Sequence, residues 1–114
     1  MAATNRQVLL AEGLGTVPAY ADGADAVRDA VAAYSPERAE AHSGVPADTI
    51  RRLTRELAAA EAGVVYGRVG VSTHEFGSLC VWAINCLNLL TGHLDGEGGA
   101  MFTSPAIDIV GDGV

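Results

Sequence analysis

From Ala24 onward, apolar residues recur at helical spacing. Val27, Ala30, Val31 and Tyr34 fall three and four apart with Asp25, Arg28 and Asp29 between them, which predicts an amphipathic helix. Ser35-Pro36-Glu37 stops that helix and starts another. Ser35 can cap, Pro36 suits the first helical position, and Glu37 suits the first turn. The second helix is predicted short, from Pro36 to about His42, with Gly44 ending it. Pro46 opens a third, through about Ala60. There Ile50, Leu53 and Leu57 form the apolar stripe, and Arg51, Arg52, Arg55 and Glu56 face water. Asp48 and Arg52, four apart, are expected to pair.

The pattern then changes. Gly63-Val64-Val65-Tyr66 is a β-branched apolar run beginning at one glycine and ending at another, and it predicts a buried strand. Gly67 to His74 is predicted as a loop. From Glu75 to about Thr91 the chain is apolar on nearly every face, through Phe76, Leu79, Val81, Trp82, Ile84, Leu87, Leu89 and Leu90. A helix of that kind is buried in protein or spans a membrane. At roughly 17 residues, with Asn85 and Asn88 inside it, this one falls short of a span and is predicted as a central core helix. Gly92 is its expected stop. Residues 1–22 have weak periodicity and read as an irregular lead-in, with a short extended or helical piece at Gln7–Ala11. The tail is turn-rich, and its apolar pieces Met101-Phe102 and Ile107–Val110 find no obvious partner.

One strand and two modest amphipathic helices supply little cover for a helix that is apolar all round. The expected fold class is therefore α/β, as part of a three-layer domain with three to four helices and one or two short strands. The domain proper is placed at residues 23–110 and a tail at 111–114. Its exposed apolar surface is expected to associate with the rest of a longer chain or with itself.

Composition narrows the function classes. Among 114 residues, 49% are hydrophobic, and 14 acidic residues against seven basic ones give a net charge of −7. All seven basic residues are arginine. An acidic chain with scattered arginines lacks the electrostatic footprint of a nucleic-acid or anionic-membrane binder. Cys80 and Cys86, six apart on one predicted helix, would lie about 9 Å apart along its axis and could not form a disulfide. They read as inert buried thiols, and with no CxxC pair no metal site is expected. The N-terminal apolar run is too short for a signal peptide, so the expected location is cytoplasmic.

The most promising place for chemistry is the predicted strand–loop–helix unit from Gly63 to Asn88. Free backbone N–H groups where a strand end meets a helix N-terminus can hold phosphate, and that edge of an open α/β sheet is where ligands usually bind. Gly67 and Gly70 would let a ligand approach the backbone, and Ser72, Thr73 and His74 add donors. The spacing matches neither GxGxxG nor GxxxxGK[ST], and no lysine is present. On these residues alone the signal is weak, and a plain glycine turn linking strand to helix is the favoured reading. His93, after Gly92, and His42 are expected at helix C-termini, where a cation favours the dipole.

Longer stretches carry a resemblance. Tyr34-Ser-Pro-Glu-Arg38 and Gly44-Val-Pro-Ala-Asp-Thr-Ile-Arg-Arg-Leu-Thr-Arg-Glu-Leu57 resemble a helical segment of the molybdopterin-dependent oxidoreductases. That family includes formate dehydrogenase, nitrate reductase and dimethyl sulfoxide reductase relatives. Val65-Tyr-Gly-Arg-Val-Gly-Val-Ser-Thr-His-Glu-Phe-Gly77 resembles its strand and cofactor-side loop. Asn88-Leu-Leu-Thr-Gly-His-Leu-Asp-Gly-Glu-Gly-Gly-Ala-Met-Phe102 resembles its N-L-L-T-G-N-x-x-x-P-G-G stretch.

The resemblance implies a piece of a catalytic subunit that helps cradle a bis-molybdopterin guanine dinucleotide carrying molybdenum or tungsten. Carried over by position, Gly70, Ser72, Thr73 and His74 are the implied cofactor-binding residues, with no catalytic or metal-ligating residue in this stretch. A 4Fe–4S cluster, the metal's protein ligand and the electron-transfer partner would lie elsewhere. The redox chemistry would belong to the cofactor and the positioning to the protein. Two departures stand out: His93 replaces the family's Asn, and Gly96-Glu97 replaces a basic-Pro pair. Two other readings stay open, an autonomous nucleotide-binding module built on the Gly67–Thr73 loop and a non-catalytic helical interaction domain.

Overall fold

A computed structural model describes residues 8–101 of the chain. Residues 8–11 are helical. They are followed by α1 (Ala24–Val31), α2 (Pro36–Ser43), α3 (Ala47–Ala59), a single turn α4 (Val69–Ser72) and α5 (Gly77–Leu90).

The predicted punctuation is where the helices begin and end. Ser35 accepts a hydrogen bond from the Arg38 backbone N–H at 3.3 Å, with Pro36 at the first helical position, and Gly44 closes α2 in the left-handed region at φ 72°. Gly92, at φ 76°, ends α5 with paired bonds: the Gly92 N–H donates to Leu89 and the His93 N–H to Asn88. The N-terminus of α3 follows a proline and has no cap of its own. The Glu40 carboxylate, seven residues upstream, accepts the Ala47 N–H at 3.0 Å and so joins α2 to α3.

α2 packs on α3, and α4 packs on α5. The best-buried apolar cluster is Leu9, Leu87 and Leu90, flanked by Leu10, Ala58 and Val65. The short helical piece at residues 8–11 thus sits in the core between α3 and α5, with Val8 and Leu9 both buried. Two links hold it there. The Thr16 N–H donates to the otherwise orphaned Leu90 carbonyl at 2.8 Å, and Arg55 grips both Glu12 carboxylate oxygens at 2.8 Å.

Several expectations need correction. No strand ladder occurs among the described residues; their only bridge is an isolated parallel one between Leu94 and Ala100. The helical part of the expected fold class is present, and no sheet forms among the described residues. Gly63–Tyr66 lies alongside α5 without a strand neighbour, because a side chain takes the place of that neighbour, as described below. The predicted loop at Gly67–His74 contains the helical turn α4. On α3 the buried face is Ala47, Ile50 and Thr54, while Leu53 is 46% exposed. Thr54 can be buried because its hydroxyl donates to the Ile50 carbonyl at 2.8 Å. Arg52 pairs with Glu56 rather than Asp48, whose carboxylate lies 3.9 Å from Arg51.

α5 is buried on one side only. Ala83, Leu87, Asn88 and Leu90 face the core, whereas Leu79 is 57% and Trp82 45% exposed. The cysteines, expected buried, are only half-buried. No helix among the described residues is long and apolar enough to cross a membrane. Phe102 and the Ile107–Val110 piece lie outside the described residues.

Candidate functional site

The chain enters the candidate region as residues 63–68 running back along α5. At its start the Asn88 side chain, 1% exposed, meets the Val65 backbone. The Val65 N–H donates to Asn88 Oδ1 at 2.8 Å, and Asn88 Nδ2 donates to the Val65 carbonyl at 2.9 Å. One amide thereby supplies the acceptor and donor that an adjacent strand would offer. A sequence signal existed for it: a buried polar group in an all-apolar helix must find partners.

Gly67 packs closely on α5. A side chain there would come within 2.5 Å of Ile84 Cδ1, so its bareness serves packing against α5. Arg68 is extended, and α4 follows immediately. At the far end, a Cβ on Gly77 would overlap the Ser72 carbonyl, so this glycine lets α4 lie directly on α5.

The four predicted residues lie together on this exposed turn, with different fitness for a ligand. Gly70 is open, with nothing within 4 Å of where a Cβ would stand. The Ser72 and Thr73 hydroxyls both donate to the Val69 carbonyl, at 3.1 and 3.0 Å, and so are spent on closing α4. His74 Nδ1 accepts the Phe76 N–H at 3.2 Å, which assigns the ring proton to Nε2.

Arg68 was not singled out by spacing. Among the described residues, Arg28, Arg51, Arg52 and Arg55 hold carboxylates and Arg38 lies 5.3 Å over the Tyr34 ring. Arg68, exposed beside the turn, has no acidic or aromatic partner among them. The turn therefore offers open space over Gly70, an imidazole N–H and an unpaired guanidinium. Such a set suits a phosphate or another anionic oxygen.

A cavity lies beside the turn rather than at it. About 390 Å³ opens between residues 64–67, α5 and residues 94–101, walled by Tyr66, Val81, Ile84, Asn85, Leu94 and Met101. None of Gly70, Ser72, Thr73 or His74 lines it. No cluster of three or more metal-ligating side chains occurs among the described residues.

The second glycine-rich stretch folds on itself. The Asp95 N–H donates to Ala100 at 2.6 Å and the Ala100 N–H to His93 at 2.7 Å, with Gly99 pressed onto the His93 carbonyl. The Gly99 N–H donates to the Gly96 carbonyl at 3.0 Å and closes the loop around Glu97. The His93 ring turns inward: Nε2 lies 3.0 Å from the Ala60 carbonyl, as its donor, and Nδ1 is buried without a partner. Its backbone caps α5, and its ring ties α5 to the end of α3. His42 stays exposed at the end of α2, its Nδ1 bonded to the Arg38 carbonyl.

The chain matches no protein-family model. It is 37% identical over 86 residues to the thiosulfate reductase molybdopterin-containing subunit PhsA of Salmonella typhimurium, covering 73% of this chain and 11% of that one. It is 36% identical over 67 residues to the dimethyl sulfoxide reductase DmsA of Escherichia coli, covering 59% of this chain and 8% of that one. The chain thus spans about a tenth of the length of the curated relatives it matches.

Proposed function

We propose, for a chain that is a relative of the molybdopterin-dependent oxidoreductases, that it forms part of a longer catalytic subunit and that its Val69–His74 turn faces the cofactor. The turn is the observation that carries this reading. It is exposed, open over Gly70, and presents His74 Nε2–H and the unpaired Arg68 guanidinium on one short segment. The cofactor implied is a molybdopterin guanine dinucleotide with molybdenum or tungsten, which would supply the redox chemistry. This chain's residues would bind and orient it. Arg68 and His74 would donate to phosphate or pterin oxygens, and Gly70 would allow close approach of the backbone. Ser72 and Thr73 would shape the turn rather than touch the ligand. The half-exposed apolar face of α5 supports the same reading, since it suits burial under further polypeptide.

The test is purification of the natural polypeptide that contains this sequence, followed by metal analysis and fluorescence of the released pterin. Molybdenum or tungsten with a stoichiometric pterin is expected; a polypeptide holding neither would overturn the reading. Within it, Arg68→Gln and His74→Phe are each expected to lower retained pterin several-fold. Ser72→Ala should leave it within about twofold of the parent, since that hydroxyl is spent on Val69.

A further inference from the structure

Three contacts between residues 65–72 and α5 fall in order along one line. Val65 meets Asn88, Gly67 meets Ile84, and Ser72 meets Gly77. On α5 these positions are 77, 84 and 88. At 100° per residue, steps of seven and eleven return to within about 20° of the same face. The segment is therefore laid antiparallel along a single stripe of the helix.

The lengths agree. Gly77 to Asn88 is eleven residues, about 16 Å of helix axis. Val65 to Arg68 in extended form covers about 10 Å, and one turn of helix from Arg68 to Ser72 adds about 6 Å. With Val65 at Asn88 and Ser72 at Gly77 the two paths are equal in length. A slip of one residue would also swap half-buried Val65 with exposed Val64 or Tyr66.

Of the three contacts, only the one at Asn88 is directional. The packing of Ile84 on Gly67 tolerates sliding, and the Gly77 contact sets a closest approach but no register. We propose that Asn88 is the positioning residue of the exposed turn. Its buried amide fixes the register of residues 63–68 on α5, and through it the place of Arg68 and the entry into α4, while the Gly77 N–H, which donates to the His74 carbonyl at 2.9 Å, holds the other end of the turn. The register rests on this structure alone; its purpose rests on the cofactor reading above.

Amide exchange in the 114-residue chain tests the register. Asn88→Leu removes both bonds while keeping an apolar side chain of similar size. It is expected to speed exchange at the Val65 amide about tenfold, the order expected for one lost buried hydrogen bond. Amide resonances of Val69–His74 should shift with it, while protection in α3 is retained. Asn85→Leu, on an exposed position of the same helix, should change neither. Asn88→Asp keeps the acceptor for the Val65 N–H and should protect that amide better than leucine does. Should Asn88→Leu fail to fold, Asn88→Asp is read against the parent: faster exchange at Val65 with α3 still protected supports the register role, and unchanged exchange overturns it.

Unchanged protection at Val65, or equal loss in the Asp and Leu variants, would overturn the proposal. In the longer polypeptide, Asn88→Leu should lower retained pterin without touching it, and Asn85→Leu should not. A register change with full pterin retention would overturn the positioning role. A polypeptide that holds no pterin at all would overturn the cofactor reading and leave the register result standing.

Discussion

Asn88 and Thr54 show how single residues depart from a simple apolar pattern. Both are polar, both are 1% exposed, and both are satisfied by a backbone group within reach. Helical periodicity places Leu53 inward, yet the neighbouring small polar residue takes the buried position. Thr54 returns its hydroxyl to its own helix, so burying it leaves no unpaired group. Ion pairs follow a similar logic. The Arg55 hydrogen bonds hold the Glu12 carboxyl below the ordinary carboxylate range, outweighing the smaller opposing effect of desolvation, and Arg51 does the same for Glu37. With a depressed folded-state pKa, the unfolded chain takes up the proton first as pH falls. The stabilisation is therefore fully present above the unfolded value of about 4.3 and is lost as pH drops through the lower folded value. Glu12→Gln is expected to lower the urea midpoint slightly at pH 7 and to converge with the parent near pH 3. The effect is small because the pair is screened by solvent. A constant gap across that range would contradict the assignment.

At the scale of elements, helix ends were legible and strand pairing was not. Ser35-Pro36, Gly44 and Gly92 act through their own backbone geometry, which a linear sequence displays directly. The Gly63–Tyr66 run has strand composition, but a strand exists only through a partner. Here Asn88 fills that role for Val65. Of the candidate site, the position of the turn was legible and its hydrogen bonding was not. Whether a hydroxyl serves a ligand or the chain depends on the carbonyl that stands nearby. The same dependence applies to Gly77. Nothing in its sequence context marks it, yet a methyl there would overlap the Ser72 carbonyl. Gly77→Ala should destabilise the chain by about 2 kcal/mol, as overpacking does, with the loss read from denaturant melts. The Val69–His74 amides should lose protection in the same variant. A neutral substitution would mean that α4 does not rest on α5 as described.

For the whole molecule, the apolar content exceeds what the described residues bury. Phe76, Leu79 and Trp82 recur three apart on or beside α5 and are each at least 45% exposed. A patch of this kind favours association when no further polypeptide covers it. The 114-residue chain is expected to show a sedimentation mass that rises with concentration, and Leu79→Glu should reduce that rise without loss of helicity. A monomer at every concentration, for parent and variant alike, would contradict the expectation. Such a surface is consistent with a chain that spans about a tenth of its curated relatives.

The sequence by itself determined the four longer helices, most of their stops, and the kinship, because these depend on residues close together and on motifs kept in order. It also set the scale of the problem, an apolar helix with too few neighbours. Only the tertiary structure decided which face of α3 is buried, what closes the Val65 backbone, and which side chains of the turn remain available. Those outcomes turn on groups brought together from distant positions, such as Asn88 with Val65 and Arg55 with Glu12. A hydrogen bond or a void is defined by what stands opposite, and that information is spatial rather than sequential.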